Sequence, residues 1–313
     1  MTADRPPLMV IANPNAGGGR TGRQLHRVRD ELTRLGLEHR VEPTSSLDHA
    51  RELAAAAAAA GERAVAFGGD GLIAAVAGAL AASDGVLGVL PGGRGNDFAR
   101  ALRIPLDAGE ACSVLAHGAI SRLDMGQVGE RTFIGIASCG FDSIANRIAN
   151  ETRLVRGDAV YAYGALRALA GWRPATFNVR IDGGESRTFT GFTVAVANSN
   201  FYGGGMMLAP AADLNDGMLD VVIISKMRKL RFLRLLPTVF RGAHVQLDTV
   251  DVIRARTVEI SASRPFTLFA DGDPISELPV AVRILAGAVR AIVPATMAAP
   301  APPTVAATPA ARA

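Results

Sequence analysis

Three short apolar segments in the first third of the chain are each followed at once by a glycine-rich loop. The segments are residues 8–12, 64–67 and 86–90, and the loops are residues 13–19, 68–71 and 91–97. A further strand predicted at residues 38–42 and helical patterns at residues 24–35, 47–60 and 72–81 complete a regular alternation. This alternation predicts an α/β domain in which a parallel sheet carries helices on both faces. Because the carboxyl ends of parallel strands meet at one edge, we expect the three loops to lie together there.

The glycine-rich loops predict a binding site for a polyphosphate. Glycine lets successive backbone N–H groups turn inward and lets a phosphate approach where a β-carbon would collide, while the helix N-termini that follow add partial positive charge. Any one of these loops taken alone is better explained as a tight turn between a strand and a helix. Three loops on one edge, two of which carry an acid, Asp70 and Asp97, favour the binding site.

The positions of lysine exclude two common phosphoryl-transfer architectures. The chain has two lysines, Lys226 and Lys229, and neither belongs to a Gly-Lys-Ser or Gly-Lys-Thr sequence. A Walker-type P-loop needs that lysine, and a protein kinase needs a strand lysine in its N-terminal part. Nucleotide chemistry in this chain must therefore use another design.

From about residue 131 the pattern changes to short β-type runs separated by turn residues. The runs are residues 132–137, 176–181, 189–197, 219–224, 257–261 and 266–270. Helical patterns at residues 143–149 and 159–171 interrupt them. This spacing predicts a second, antiparallel domain built as a β-sandwich. We therefore expect an α/β domain at residues 1–128, a sandwich at residues 129–285, and a disordered Ala/Pro-rich tail at residues 295–313.

Charge, cysteine and hydropathy narrow the class of protein. The 33 basic residues are nearly balanced by 29 acids, so a net charge of +4 does not predict nucleic-acid binding. Cys112 and Cys139 form no CxxC motif and suggest no Cys/His zinc site. The longest apolar run, residues 72–82, is far short of the roughly 20 residues that cross a bilayer. These features predict a cytoplasmic chain without a membrane span.

Further polar turns lie in the β-type half. They are residues 198–205, 209–213, 215–220 and 270–273. Asn, Asp and carbonyl oxygens are ligands that Mg²⁺ accepts, although on spacing alone residues 215–217 are better explained as a hairpin turn. Asp271 and Asp273, on either side of one glycine, are either solvated turn acids or a general base with its positioning partner.

Seven motifs in order carry a family resemblance. They are NPNAGGG (13–19), GGDGL (68–72), PGGRGNDFAR (91–100), CGFD (139–142), NSNFYGGG (198–205), LNDGMLD (214–220) and ADGD (270–273). In this order they resemble the diacylglycerol kinase catalytic-domain family, the bacterial soluble lipid kinases related to sphingosine and ceramide kinases. The resemblance covers about residues 8–294. For the fold, the resemblance implies a lipid-binding sandwich and a strand at about residues 286–294 that returns to the first domain. For the function, it implies that Mg·ATP binds between the domains and that the hydroxyl of diacylglycerol or a related lipid alcohol accepts the phosphoryl group.

The resemblance also assigns site residues. Those expected to contact the nucleotide are Asn13, Gly17, Gly18, Gly19, Thr44, Gly68, Gly69 and Gly71, with Arg94, Asn96 and Asp97 in the adjoining loop. Those expected to hold a structural Mg²⁺ are the Asp216 carboxylate and the main-chain oxygens of Asp213 and Met218. Asp273 is the expected general base, and Asp271 and Asp70 are expected to order the catalytic Mg²⁺ and that base.

Three residues depart from the family pattern. Asp273 replaces Glu and is one methylene shorter. A general base must lie roughly 2.6 to 3.2 Å from the oxygen whose proton it accepts, so Asp273 could fall outside that reach unless the loop shifts. Arg94 replaces Thr, and its guanidinium can either clamp a phosphate or crowd the pocket. Leu72 replaces the Thr common in bacterial members and resembles the sphingosine and ceramide kinase branch.

Positive charge is concentrated in residues 226–241, a segment without an acid. Its basic residues are Lys226, Arg228, Lys229, Arg231, Arg234 and Arg241. Interleaved Leu and Phe make the segment typical of an element that contacts an anionic membrane surface, here the inner face. A solvated helix with its apolar face on the sandwich would show the same composition, and Pro237 argues against one long helix. The family resemblance favours the membrane contact, and a homodimer is left open.

Two alternative functions remain open. Another kinase with a GGDG loop, such as an NAD kinase, would share that motif but would fit PGGRGND and YGGG poorly. A catalytically weak nucleotide- or lipid-binding regulator of the same fold is favoured by the changes at Asp273, Arg94 and Leu72.

Overall fold

The first domain is the predicted α/β unit. The computed structural model describes residues 5–81, 83–152 and 159–297 of the chain. In chain order the first elements are β1 (Leu8–Ala12), α1 (Ala16–Arg34), β2 (His39–Pro43), α2 (Leu47–Ala59), β3 (Arg63–Gly68), α3 (Asp70–Leu80), β4 (Val86–Pro91), α4 (Asp97–Ala101) and α5 (Ala108–His117). Strands β2, β1, β3 and β4 pair in that order and are all parallel.

Burial explains why this sheet forms. Every residue of β1 and of β4 is buried, as expected of parallel strands covered by helices on both faces. The alanine-rich α2 buries Ala50, Ala54 and Ala57, whose small side chains let the helix pack closely on its neighbours. The predicted alternation of strands and helices is thus confirmed, with boundaries that differ by a few residues.

The second domain is the predicted antiparallel unit. The elements after α5 are β5 (Ala119–Val128), β6 (Arg131–Phe133), β7 (Ile136–Gly140), α6 (Phe141–Glu151), α7 (Ala159–Gly171), β8 (Ala175–Ile181), β9 (Ser186–Ala197), β10 (Phe201–Tyr202), β11 (Met206–Met207), β12 (Leu219–Ser225), α8 (Lys229–Val239), a 3₁₀ helix (Ala243–Gln246), β13 (Val250–Ala255), β14 (Thr257–Ala262), β15 (Thr267–Ala270), β16 (Asp273–Glu277) and β17 (Val280–Val293), of which β5 and β17 are shared by both domains. Strands β16, β15, β7, β9, β8 and β14 follow one another in the sheet, and β12 joins β9 to β13.

Two long strands, β5 and β17, connect the domains. The first residues of β17 pair with β14 in the sandwich, whereas Arg290 and Ala291 pair in parallel with β4. Strand β5 runs antiparallel to β17 on both sides of a register shift. The sequence pattern alone does not predict β5, because Arg122 and Asp124 interrupt its apolar run.

One predicted strand is wrong. Residues 132–137 form two strands, β6 and β7, instead of one. The backbone N–H groups of Ile134 and Gly135, in the gap between them, donate to the carboxylate of Asp271 instead of to a neighbouring strand. A distant side chain therefore decides where the strand is broken.

Helix α8 is anchored by aromatic packing. The ring of Phe232 stacks on Phe192 with centroids 4.1 Å apart and meets Phe141 edge-on at 4.7 Å. Pro237, expected to argue against one long helix in this segment, lies inside α8, which continues to Val239. Proline has no N–H to donate to the carbonyl four residues earlier, so the helix passes Pro237 with one backbone hydrogen bond fewer.

The remaining sequence predictions have mixed outcomes. Cys112 and Cys139 are both buried free thiols. Within the described ranges no helix is long and apolar enough to cross a membrane. The predicted disordered tail lies outside the described residues apart from its start, where Ala295–Met297 forms a 3₁₀ turn.

Candidate active site

The three glycine-rich loops touch one another at the carboxyl edge of the parallel sheet. A β-carbon on Gly17 would collide with the carbonyl oxygen of Gly92, so the first and third loops are in contact. A β-carbon on Gly93 would lie 2.5 Å from the Cα of Gly69, which brings the second loop against the third. Gly17, Gly18 and Gly19 all have positive φ, between 60° and 81°, a conformation that glycine adopts without strain. The loops interlock because glycine leaves no side chains between them.

Two predicted nucleotide contacts flank this junction. The backbone N–H of Asn13 donates to Phe67 O at 3.1 Å, and that of Thr44 donates to Ala12 O at 2.8 Å. Both residues therefore lie at the carboxyl ends of neighbouring parallel strands. Gly68, Gly69 and Gly71 surround the start of α3 beside them.

The third loop is braced by its own asparagine. Asn96 has a φ of 51°, and asparagine is among the residues that tolerate this left-handed region. Its Oδ1 accepts from Gly93 N at 2.8 Å, and its Nδ2 donates to Gly93 O at 3.2 Å. Asn96 is buried, so it shapes the loop, whereas Arg94 at the tip is exposed.

Three arginines lie against the glycine-rich loops. Their guanidinium groups donate to backbone oxygens of the glycine-rich loops, Arg20 to Gly93 O at 3.3 Å, Arg23 to Gly18 O at 3.2 Å and Arg100 to Gly95 O at 3.2 Å. These arginines are not among the predicted site residues. Their position just after two of the loops was the available signal.

Asp70 and Asp97 face one small space. The Oδ2 atoms of the two carboxylates lie 3.3 Å and 3.0 Å from the point that a β-carbon on Gly95 would occupy. Asp70 Oδ1 accepts from Phe98 N at 3.0 Å, which ties the start of α3 to α4. The space between the carboxylates stays open because residue 95 is glycine.

Asp97 also joins the two domains. Its carboxylate oxygens accept from Gly204 N at 2.8 Å and from Gly205 N at 2.7 Å. These glycines follow Tyr202 in the second domain, and both have positive φ. The three-glycine stretch thus brings two N–H groups onto an acid of the first domain.

Asp271 and Asp273 approach the same region from the second domain. Asp271, with a φ of 52°, accepts from Ile134 N at 2.9 Å and from Gly135 N at 2.8 Å. Asp273 begins β16 and is exposed, and its Oδ2 lies 3.7 Å from the point that a β-carbon on Gly71 would occupy. Asp273 therefore lies against the N-terminus of α3, next to Asp70.

The electrostatics of this cluster are unusual for aspartate. Burial, and next the negative charge of Asp70, raise the pKa of Asp97 to about 6, against the opposing effect of the two glycine N–H groups. Burial is also the main cause that raises the pKa of Asp271 to about 7, with a further contribution from Asp70. A cation among these carboxylates would lower both values, because it stabilises the ionised form.

The effect of Asp70 on its neighbours can be measured directly. Because its negative charge disfavours ionisation of both neighbours, we expect Asp70→Asn to lower the pKa of Asp97 and the pKa of Asp271. Titration of the aspartate ¹³Cγ resonances by NMR checks this. Asp84→Asn, which removes an exposed carboxylate elsewhere, should leave both values unchanged. Unchanged values in Asp70→Asn would contradict the proximity of the three acids.

The turn at residues 213–218, where a structural Mg²⁺ is predicted, lies apart from the glycine-rich loops and has its own hydrogen bonds. Asp216 Oδ1 accepts from Met218 N at 2.9 Å, and its other oxygen forms an ion pair with Arg254. The turn is held by the buried Asp124, whose carboxylate accepts from Gly217 N and Gly287 N, both at 2.7 Å. Among the described residues no group of three His, Cys, Asp or Glu side chains could hold a metal ion.

The ligands expected at this turn are the Asp216 carboxylate and the main-chain oxygens of Asp213 and Met218, and magnesium binding there stays a prediction. The Asp216 carboxylate pairs with Arg254, and Asp213 Oδ1 accepts from Asn215 N at 3.3 Å. Asp124 was missed by the sequence analysis, although a lone acid within the apolar part of a strand was a usable signal.

The structure thus separates the predicted residues into two groups. The residues brought together around the glycine loops are Asn13, Gly17, Gly18, Gly19, Thr44, Gly68, Gly69, Asp70, Gly71, Arg94, Asn96, Asp97, Asp271 and Asp273. Asp213, Asp216 and Met218 lie in the turn anchored to Asp124. Sequence reasoning missed Gly95, Gly204 and Gly205 as site residues, since their contacts join distant parts of the chain.

Comparison with known proteins agrees with this architecture. Residues 7–128 match the diacylglycerol kinase catalytic domain, and residues 135–293 match the YegS C-terminal NAD kinase beta sandwich-like domain. A diacylglycerol kinase of Mycobacterium tuberculosis is 34% identical over 92% of this chain and 95% of its own length. A diacylglycerol kinase of Bacillus subtilis is 32% identical over 86% of this chain and 90% of its own length.

A solved structure shows the same fold. The crystal structure of a diacylglycerol kinase from Bacillus anthracis has a TM-score of 0.74 at 18% identity and covers 95% of this chain and 100% of that chain. The two domain matches and the 34% identity to the M. tuberculosis enzyme show the family, and the arrangement of an α/β domain and an antiparallel sandwich agrees with it. The chain is therefore a kinase of the diacylglycerol kinase family.

Proposed function

We propose that this enzyme transfers the γ-phosphoryl group of Mg·ATP to the hydroxyl of a lipid alcohol, diacylglycerol or a close relative. The observation that carries the proposal is the convergence of four carboxylates from two domains on the interlocked glycine loops. Asp70 and Asp97 come from the first domain, and Asp271 and Asp273 come from the second. Phosphoryl transfer depends on positioning and charge neutralisation. The carboxylates would position Mg²⁺ and the acceptor, and Mg²⁺ together with the nearby arginines would neutralise the phosphate charge.

The glycine loops are suited to hold the ATP phosphates. Their close packing brings backbone N–H groups together, and Arg20, Arg23 and Arg100 surround them. Asn13 and Thr44 border the same edge. Leu72 is buried in the core of the first domain, so its departure from the family pattern does not alter the polar lining.

Asp70 and Asp97 are the side chains that would hold the catalytic Mg²⁺. Two carboxylates combined with substrate phosphate oxygens form the ligand set that Mg²⁺ uses at nucleotide sites. The opening left by Gly95 provides the space. Burial, and next the negative charge of Asp70, raise the pKa of Asp97, and a cation bound here would oppose both effects. When bound, the ion neutralises charge on the transferring phosphoryl group. No step of this mechanism uses an ion at the Asp216 turn.

Asp273 is the proposed general base. It is exposed, lies beside the start of α3, and is free of the backbone hydrogen bonds that occupy both oxygens of Asp271. Asp273 would accept the proton of the lipid hydroxyl as that oxygen attacks the γ-phosphorus. Asp271 is a positioning residue, because its two backbone hydrogen bonds fix the turn that carries Asp273.

The acceptor would enter from the second domain. Asp142 Oδ2 accepts from the Tyr202 hydroxyl at 3.4 Å, and Tyr202 lies two residues before Gly204, the first of the two glycines that donate to Asp97. Burial raises the pKa of Asp142 to about 6. This polar pair, whose Tyr202 is close in sequence to the glycines that contact Asp97, is the proposed neighbour of the acceptor headgroup.

A lipid screen tests the proposal. The full chain is incubated with Mg²⁺, labelled ATP and a total lipid extract, and the labelled products are identified by mass spectrometry. We expect a phosphorylated lipid whose formation requires Mg²⁺. NAD is offered in parallel, and label in NADP instead of in lipid would overturn the proposal. Tight ATP binding with no transfer to any lipid would also overturn it and would favour the regulator.

A further inference from the structure

Asn198 is a fully buried asparagine that directly follows strand β9. Its side-chain Nδ2 donates two hydrogen bonds, to Asp124 O at 2.9 Å and to Ile134 O at 2.8 Å. Both acceptors are backbone carbonyl oxygens, so the nitrogen of the amide, and not its oxygen, has to face them. The site therefore uses Asn198 as a double hydrogen-bond donor.

The two carbonyls belong to chain segments that separate at this point. Strands β5 and β6 pair as far as Gly126 and Phe133, where their ladder ends. Asp124 and Ile134, which lie just beyond that last pair, are both buried. A buried carbonyl without a donor is destabilising, and the Asn198 amide supplies the hydrogen bonds that the ladder no longer provides.

The backbone of residues 134–135 is held from two sides. Gly135 O accepts from Asn198 N at 2.9 Å and from Ser199 N at 3.2 Å. From the other side, Ile134 N and Gly135 N donate to the carboxylate of Asp271. Both carbonyls of this pair are thus bound by residues 198–199, and both N–H groups are bound by one acid. A displacement of residues 134–135 would therefore displace Asp271.

The contact between this segment and Asp271 is close. A β-carbon on Gly135 would lie 2.4 Å from Asp271 Oδ1, so only glycine fits here without a shift. The backbone N–H of Asp271 donates to Ile136 O at 3.3 Å, so the same segment holds both the side chain and the main chain of Asp271. Asp273 follows after a single glycine. The place of its carboxylate therefore depends on the segment that Asn198 holds.

Asn198 also begins the segment that reaches the first domain. Six and seven residues further along the chain, Gly204 and Gly205 donate their N–H groups to Asp97. Asn198 therefore lies where the chain that binds Asp97 meets the backbone that binds Asp271.

We propose that Asn198 is a positioning residue for phosphoryl transfer. Through residues 134–135 it fixes Asp271, and through the turn that follows Asp271 it sets the place from which Asp273 accepts the proton of the lipid hydroxyl. Serine would supply one donor, ionised aspartate would supply none, and glutamine is one methylene longer in a fully buried site. The inference rests on the proposed function, in which Asp273 is the general base.

Kinetics and hydrogen exchange test the inference on the full chain. Asn198→Ala should lower kcat about 10- to 100-fold with KM for ATP changed by less than about twofold, because misplacing the base by about 1 Å affects the reaction and not the binding of ATP. Exchange of the backbone amide hydrogens, followed by NMR, should become at least about tenfold faster at Ile134 and Gly135 relative to Val10 in β1. Asn198→Ser keeps one hydroxyl donor and carries both measurements if Asn198→Ala does not fold.

Two control variants separate positioning from a general loss of stability. Val196→Ala leaves a cavity in the same strand, β9, but keeps the hydrogen bonds of Asn198. Asn178→Ala removes an asparagine of β8 whose Oδ1 accepts from the Thr188 hydroxyl at 2.7 Å in an exposed site. Urea unfolding gives the stability of every variant. Both controls should keep the kcat of the unaltered chain and its relative exchange at residues 134–135.

An unchanged kcat in the Asn198 variants would refute the inference. So would a loss of kcat no larger than that of Val196→Ala, combined with unaltered exchange at residues 134–135. Failure of the proposed function shows separately, since the unaltered chain would then phosphorylate no lipid. In that case the exchange rates at Ile134 and Gly135 decide whether Asn198 holds this segment.

Discussion

Asp273→Asn should reduce turnover about 10²- to 10⁴-fold while ATP still binds. This range is the usual contribution of a positioned general base, and Asn cannot accept the proton. Asp273 is exposed at the start of β16, so the change should not disturb packing. Initial rates at saturating ATP, together with calorimetric measurement of ATP affinity, check the expectation.

Two further variants complete this experiment. Glu277→Gln changes another exposed acid of the same strand and should leave the rate unchanged. Asp273→Glu restores the longer side chain and should retain activity, because the carboxylate gains reach toward the hydroxyl. Full activity in Asp273→Asn would remove Asp273 as the base and leave another group to accept the proton.

Gly17→Ala should destabilise the protein and impair nucleotide binding together. Alanine at a φ of 60° costs about 1 to 2 kcal/mol, and forcing its β-carbon against Gly92 O adds an overpacking cost of about 1 to 3 kcal/mol. Relief of this collision would push the third loop away from the first. We therefore expect ATP affinity to fall about tenfold or more, which corresponds to at least about 1.4 kcal/mol.

Gly61→Ala provides the matched comparison. Gly61 has a φ of 73°, but a β-carbon there meets no atom within 4 Å. In Gly61→Ala the free energy of unfolding should therefore fall only by the backbone cost of about 1 to 2 kcal/mol, and ATP affinity should be unchanged. Urea unfolding gives the stability of both variants. If Gly17→Ala were no worse than Gly61→Ala and bound ATP normally, the interlocked loops would not form the nucleotide site.

The proposed site is complete only when both domains are in place. Asp97 depends on N–H groups of Gly204 and Gly205, and Asp273 reaches the first domain beside Gly71. Strands β5 and β17, each shared by both domains, hold this arrangement together. In the proposed mechanism the sandwich therefore contributes side chains and N–H groups to the chemistry as well as structural support.

Local pattern was sufficient for much of the fold. Apolar strands followed by glycine loops and helices predicted the parallel sheet, because periodicity and glycine content act over a few residues. The same signals failed at residues 132–137, where the interruption at Ile134 and Gly135 depends on Asp271. They also missed β5, whose polar residues are satisfied by distant partners such as Gly217 and Gly287.

By itself, the sequence determined the two domain types, the three glycine loops, the family and the acids that surround the proposed site. Only the tertiary structure decided how those acids are used. Asp97 is held by glycines more than a hundred residues away, Asp216 is paired with Arg254, and Asp271 is held by the backbone of residues 134–135. Hydrogen bonding, desolvation and exposure depend on which distant groups meet on folding, and no local pattern of residues contains that information.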